Sequence, residues 1–282
     1  MTKSRLRSEH VLAPAWVLAA FTLCAATAHA QRGFFGGGQL GGSCYNDPVV
    51  KNIPYDGRFT FTRLIYSEGT GNCYYRGEPS WSHGYWEAFP ERAEVNLLRI
   101  MEQVSIFHPH IPQTNAIAMD DPELFKFPVA YMTESGYWEI TNRETMALRK
   151  YLLKGGFLII DDSRDDFGRG KNGWVTLQAD LKQVFPALHP IRLDNTYPIF
   201  HSFFDITKSL DDIPQAYDVR NIPEFYGVFQ DNDPKKRMYM MINFNTDVSD
   251  YWEFTSQGFY PVESANDAYK LGVDYIMYAL TH

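Results

Sequence analysis

The densest concentration of reactive groups in the chain is Asp161-Asp162-Ser163-Arg164-Asp165-Asp166. Four carboxylates this close repel one another unless Arg164, water or a cation screens them, and such crowding raises carboxyl pKa values or attracts a hard metal such as calcium. The spacing is not that of an EF-hand loop, and Asp-rich turns after strands also serve as solvated caps. Asp162 or Ser163, combined with His201 in Pro198-Ile-Phe-His201-Ser-Phe-Phe, is the set from which a hydrolytic centre, metal-assisted or not, could be built. Ser163 lacks the flanking glycines that relieve crowding in a Gly-x-Ser-x-Gly elbow. A histidine in an apolar run such as that around His201 equally serves as a hydrogen-bonded core group.

A second set of residues suits binding. One tripeptide recurs as Tyr85-Trp86-Glu87, Tyr137-Trp138-Glu139 and Tyr251-Trp252-Glu253. An aromatic face stacks on a sugar ring or a protein surface while a neighbouring carboxylate accepts hydrogen bonds. Trp86, Trp138, Glu139, Trp252 and Glu253 are therefore ligand-binding candidates, with Asp161, Asp162, Asn245 and Asp247 beside them; the same rings could instead cap the core. Asn245 and Asp247 could equally close an Asx turn.

The elements that must position these residues follow from periodicity. Phe59–Tyr66, Asn115–Met119 and Phe127–Met132 read as strands, as does Phe157–Ile160, which is apolar on both faces and suits the centre of a covered sheet. Leu97, Ile100, Met101 and Val104 recur at helical spacing behind Pro90. Thr141-x-x-Glu144 is a capping box that opens a second helix, stopped by Gly155-Gly156. A third carries Trp174, Leu177, Leu181 and Val184 and ends before Pro186; the last, capped by Ser264, turns Leu271, Tyr275 and Tyr278 inward. Phe225–Gln230 and Arg237–Asn243 flank the turn-rich Asp231-Asn-Asp-Pro234 and predict an antiparallel hairpin. Alternating strands and helices predict an α/β domain: a mostly parallel, doubly wound sheet with the hairpin at one edge. Its ligands belong outside the carboxyl ends of the strands, so all three tripeptides, each placed in a loop after a strand, are expected to reach one edge.

At the N-terminus, Lys3, Arg5 and Arg7 precede an apolar run, Val11 to Ala26, and then Ala28-His29-Ala30. That order predicts a signal peptide over residues 1–30 and a periplasmic or secreted protein, with no membrane span after cleavage. Residues 31–58 begin Gly-rich and read as a flexible lead-in, followed by the folded domain over 59–282. The leader holds three cationic residues and Glu9, so its removal takes the formal charge from −8 to −10. So acidic a domain is a poor partner for nucleic acid. Cys44 and Cys73 remain in an oxidising compartment, either bridged or as two thiols. Neither lies in a zinc-binding pattern, and no motif implies a cofactor.

The order of these pieces resembles a bacterial family known as domain of unknown function 4159, placed in the class I glutamine amidotransferase-like superfamily. The resemblance runs from about Phe59 to the C-terminus. It is carried by Phe59-Thr-Phe-Thr-Arg63-Leu, by Asp121-Pro-Glu-Leu-Phe with Tyr131-Met-Thr, and by Leu148-Arg-Lys-Tyr-Leu-Leu-Lys-Gly-Gly-Phe-Leu-Ile-Ile-Asp-Asp162. Pro198-Ile-Phe-His201-Ser-Phe-Phe-Asp205 and Asn245-x-Asp247 with Trp252-Glu253 complete it. It implies a flavodoxin-like three-layer sandwich. It does not bring glutamine hydrolysis, because the turn after Phe157–Ile160 offers Asp161, Asp162 and Ser163 where that chemistry needs a cysteine nucleophile. The expectation is a non-catalytic envelope domain recognising carbohydrate, a cell-wall fragment or a protein partner; the alternative is a hydrolase using Asp162 or Ser163 with His201.

Overall fold

The computed structural model describes residues 52–68, 73–74, 92–165, 172–213, 215 and 221–282. Alternation along the first strand sets the layers. Phe59 and Phe61 point to one side of the sheet, Leu64 and Tyr66 to the other. β1 (Thr62–Ile65) lies between two parallel neighbours, β4 (Asn115–Ala118) and β5 (Val129–Thr133). β6 (Phe157–Ser163) continues the parallel sheet beyond β5, in a register that sets Thr133 beside Asp161, and β9 (Met238–Phe244) continues it beyond β6. β8 (Glu224–Phe229) and β7 (Ile191–Arg192) close that side antiparallel. The full order is β4-β1-β5-β6-β9-β8-β7, with β2 (Ser67–Glu68) and β3 (Cys73–Tyr74) forming a separate two-stranded ribbon. The predicted hairpin is thus β8 and β9, and its second strand is also the last parallel strand.

Both faces are covered, as the near-continuous apolar strands require. On one, α1 (Arg92–Val104), α4 (Val248–Phe254) and α5 (Val262–Thr281) pack over Phe61, Val129, Tyr131, Phe157, Ile159 and Met241. On the other, α2 (Asn142–Leu153) and α3 (Gly173–Val184) pack over Ala130, Met132, Leu158, Ile160, Met240 and Ile242. This is an α/β three-layer sandwich consistent with a flavodoxin-like arrangement. The capping box of α2 is present in both directions, Glu144 N donating to Thr141 Oγ1 at 3.2 Å and Thr141 N to Glu144 Oε2 at 2.8 Å. Among the described residues, no helix is long and apolar enough to cross a membrane.

Several boundaries differ from expectation. β6 runs on through Asp161 and Asp162 to Ser163, because these polar residues find buried partners instead of solvent. α5 starts before Ser264, at Val262, with Pro261 at its cap: proline has no N–H to give and sets the boundary there. Residues 248–254, expected in a loop, form α4. Part of the segment read as a flexible lead-in is fixed to β4. Asn52 and Ala116 exchange two hydrogen bonds, and Asn115 Oδ1 accepts from Ile53 N at 2.8 Å, covering the open edge of β4.

Candidate functional site

The carboxyl ends of β5, β6 and β9 meet in a cluster of buried polar groups. Asp161, with no exposed surface, accepts four hydrogen bonds: Tyr131 OH at 2.6 Å, Asn243 Nδ2 at 2.8 Å, Ser249 N at 3.0 Å and Val248 N at 3.3 Å. Two of these donors are free amides of the first turn of α4, so Asp161 fastens that helix to the sheet. Tyr275 OH of α5 donates to Asn243 Oδ1 at 3.0 Å and extends the network into the helical layer. Asp247 is the N-cap of α4, accepting from Asp250 N at 2.9 Å and Ser249 Oγ at 2.7 Å. Burial, reinforced by the charge of Asp247, lifts the Asp161 carboxyl to about 6 despite its donors.

Asp162 sits differently. It is held at φ 50°, in a bulge where the β6–β9 register shifts, and its Oδ1 lies 3.0 Å from Arg164 Nε. Burial raises its pKa well above the carboxylate range; Asp247, Glu134 and Asp161 push in the same direction and Arg164 opposes them. Burial thus favours the neutral carboxyl, which can donate as well as accept.

Among the described residues, five other than glycine have positive φ, and three of them end adjacent strands: Glu134 after β5, Asp162 in β6 and Asn245 after β9. Asp231 and Asn232 of the β8–β9 turn are the other two. Left-handed backbone costs about 1–2 kcal/mol for a side chain such as Glu134. Among the described residues, left-handed backbone at non-glycine positions is thus concentrated at this edge and in the β8–β9 turn. The sharp strand-to-helix turn sits at Glu134, which leads into the short 3₁₀ turn Ser135–Tyr137; at β6 the strand simply continues. Ser163 is buried there, its Oγ 2.6 Å from Ser135 Oγ, and Asn245 N donates to Ser163 O at 2.7 Å.

His201 lies in another network. Its Nδ1 is 2.5 Å from Asp205 Oδ1 and its Nε2 is 2.5 Å from the Asn195 carbonyl. Ser163 bonds with Ser135 and Asn245 and His201 with Asp205 and Asn195, and both His201 nitrogens face acceptors, so the ring offers no lone pair to the serine proton.

The aromatic expectation needs correction. Trp138 and Trp252 are both buried, and they belong to the cores on opposite faces of the sheet. Trp252 is in α4, where its ring packs 5.9 Å from Tyr131; Trp138 follows the 3₁₀ turn after β5. They are core residues and form no shared stacking surface. Glu139 and Glu253 beside them are half-buried. Trp86 and Cys44 lie outside the described residues, as does the side chain of Cys73. The tryptophan placed near the polar cluster is Trp174, at the start of α3. Its ring is 4.4 Å from Tyr226 and 4.8 Å from Phe244, it is half-buried, and its backbone amide donates to Asp165 Oδ1 at 3.3 Å.

Sequence reasoning found Asp161, Asp162, Asn245 and Asp247, and missed Glu134, Tyr131, Asn243 and the pair Arg63 Nε–Glu94 Oε1, 2.8 Å apart and buried between β1 and α1. Asn243 and Arg63 carried a signal, as lone polar residues in apolar strands. Among the described residues, no three His, Cys, Asp or Glu side chains are arranged to hold a metal ion. No curated protein matches the chain. The family model described as Domain of unknown function (DUF4159) matches residues 61–280, from β1 through nearly all of α5 and therefore every element that builds this edge, so the chain belongs to that family.

Proposed function

We propose that the chain is an exported envelope protein whose domain binds a saccharide-type ligand, such as a cell-wall fragment, at the carboxyl edge of its sheet without turning it over. The observation that carries this reading is the convergence of three strained polar strand ends, Glu134, Asp162 and Asn245, around the Asp162–Arg164 pair. In open α/β sheets this edge is where ligands bind. A protonated Asp162 and a charged Arg164 donate to ring hydroxyls, Asn245 both donates and accepts, and Trp174 supplies an aromatic surface beside them. The surplus of carboxylates disfavours an anionic ligand.

A hydrolase is the second reading, and one observation favours it: the raised pKa of Asp162 suits a proton donor to a leaving group. That reading now rests on Asp162 without Ser163 or His201.

One experiment separates the two. Thermal shift of the chain against neutral glycans and cell-wall fragments, with product analysis of the same mixtures, should give a shift for the wild type with the ligand recovered intact. A ligand at 100 times its Kd stabilises by about 2.7 kcal/mol. Asp162→Ala or Trp174→Ala should weaken binding at least tenfold. Cleavage that Asp162→Asn abolishes would establish the hydrolase, and the absence of any shift would favour a protein partner.

A further inference from the structure

His201, Asp205 and Asp274 serve neither the proposed ligand site nor the apolar core, yet together they tie a long loop to a helix. A carbonyl oxygen only accepts, so the Nε2 of His201, 2.5 Å from the Asn195 carbonyl, carries a proton. Nδ1 faces the Asp205 carboxylate at 2.5 Å, and a proton there as well makes the ring an imidazolium. On α5, Asp274 has no exposed surface; its Oδ1 accepts from Phe203 N at 2.9 Å and Phe204 N at 2.7 Å, while its Oδ2 has no hydrogen-bond partner. The loop carries Ile199 and Phe200, both fully buried, into the core beneath α5.

We propose that His201, Asp205 and Asp274 form a proton-dependent latch that holds the loop Asn195–Ile206 on α5 while His201 is charged and loosens it when that proton leaves. A neutral imidazole has one N–H, so it must give up either the Asn195 carbonyl or Asp205 as acceptor. At the same moment the buried Asp274 carboxylate loses the favourable charge of the His201 ring. The titrating groups that face one another here are His201 and Asp205 on the loop and Asp274 on α5; Lys208 and Asp267 make a separate ion pair between the loop's continuation and the same helix.

The pKa directions agree with this geometry. Burial pulls His201 down, but the Asn195 carbonyl, Asp205 and Asp274 outweigh it, and the net shift is above 6.5. Burial lifts Asp274 to about 6, against the Phe204 and Phe203 amides and His201. For a histidine raised in the folded state, the stabilisation is complete below its unfolded pKa and is lost as pH rises through the folded value. The latch therefore holds at acid and near-neutral pH and loosens in the alkaline range.

Hydrogen exchange of the full chain between about pH 6 and pH 9, corrected for intrinsic exchange, tests this. Protection of the Phe203 and Phe204 amides should fall, by at most about tenfold per pH unit, as pH rises from about 6.5 through the raised imidazole pKa, and level off above it. The His201 imidazole resonance should titrate above 6.5. His201→Gln should leave those amides poorly protected at every pH. If that variant fails to fold, Asp205→Asn, altered at an exposed residue, should move the transition to lower pH. Flat protection in the wild type overturns the latch, as does an unchanged transition in both variants or an imidazole that titrates below 6.5.

Discussion

Asp161 and Asp162 are neighbours in sequence, but they do different work. Asp161 satisfies four buried donors and makes the first turn of α4 possible; Asp162 sits in a strained bulge beside Arg164. Removing the first should therefore act on stability and removing the second on binding. Asp161→Ala leaves Tyr131 OH, Asn243 Nδ2 and two amides without an acceptor in a site closed to water. At about 1–3 kcal/mol for each buried group left unpaired, and with partial relaxation, the expected loss is about 3–5 kcal/mol in urea unfolding. Asp162→Asn should cost under about 1 kcal/mol, since asparagine tolerates positive φ and keeps an acceptor toward Arg164. Equal losses in the two variants would contradict this division. The Asp run was legible in the sequence because polar residues ended an apolar strand. Which carboxylate faces inward was not, because that depends on Tyr131, Asn243 and the amides of α4, which come from three other elements.

At the scale of elements, α4 has only seven residues and few intrinsic means of forming. Asp161 and Asp247 hold its first turn, and Trp252 anchors it between α1 and α5. Asn96 Nδ2 donates to Trp252 O at 2.8 Å, and Gly272 of α5 lies directly against the indole. A Cβ at Gly272 would come within 2.4 Å of Trp252 Cζ2 and 3.0 Å of Leu97 Cδ1. Alanine improves helix propensity by about 1 kcal/mol over glycine, whereas overpacking a rigid indole costs about 1–3 kcal/mol. Packing should win. Gly272→Ala is thus expected to lower the thermal midpoint, and Gly272→Ala with Trp252→Phe to recover part of the loss; a rise in the single variant would show that α4 shifts freely. The long elements were readable, since their periodicity and caps are local: the Thr141 box, Gly155 and the stripe from Trp174 to Val184 stand as expected. α4 was read as a loop because its order comes from contacts with residues more than seventy positions away on β6 and more than a hundred and fifty away on α1. For the same reason Trp138 and Trp252 passed as surface aromatics. Nothing local distinguishes a ring that stacks on a ligand from one that plugs a helix into a core.

For the whole molecule, buried carboxyls with raised pKa values should set an unusual dependence of stability on pH. Asp161 and Asp274 move from an ordinary 3.8 to about 6, chiefly through burial, and Asp162 is raised in the same direction. Each holds its proton more tightly folded than unfolded, so each contributes stability that is complete below about pH 4 and is lost as pH rises through its folded pKa. His201 acts in the same sense over a higher range. Asp56 and Asp194 are shifted downward by hydrogen bonds, from the Arg58 amide and from Thr196 respectively, and stabilise only above the ordinary carboxylate range. Both are solvent-facing, so screening keeps their share small. Many proteins lose stability on mild acidification; this one should gain it. The urea midpoint at unchanged slope should be highest near pH 5 and fall toward pH 8, by an amount on the order of 2 kcal/mol for a fully buried carboxyl shifted by two units. Asp162→Asn removes one of these raised carboxyls and should flatten the curve. A midpoint that rises steadily from pH 5 to pH 8 would mean that these carboxyls stay ionised throughout, with the Arg164 pair and the amide donors outweighing burial. In the proposed binding reading, Asp162 would then serve as an acceptor only.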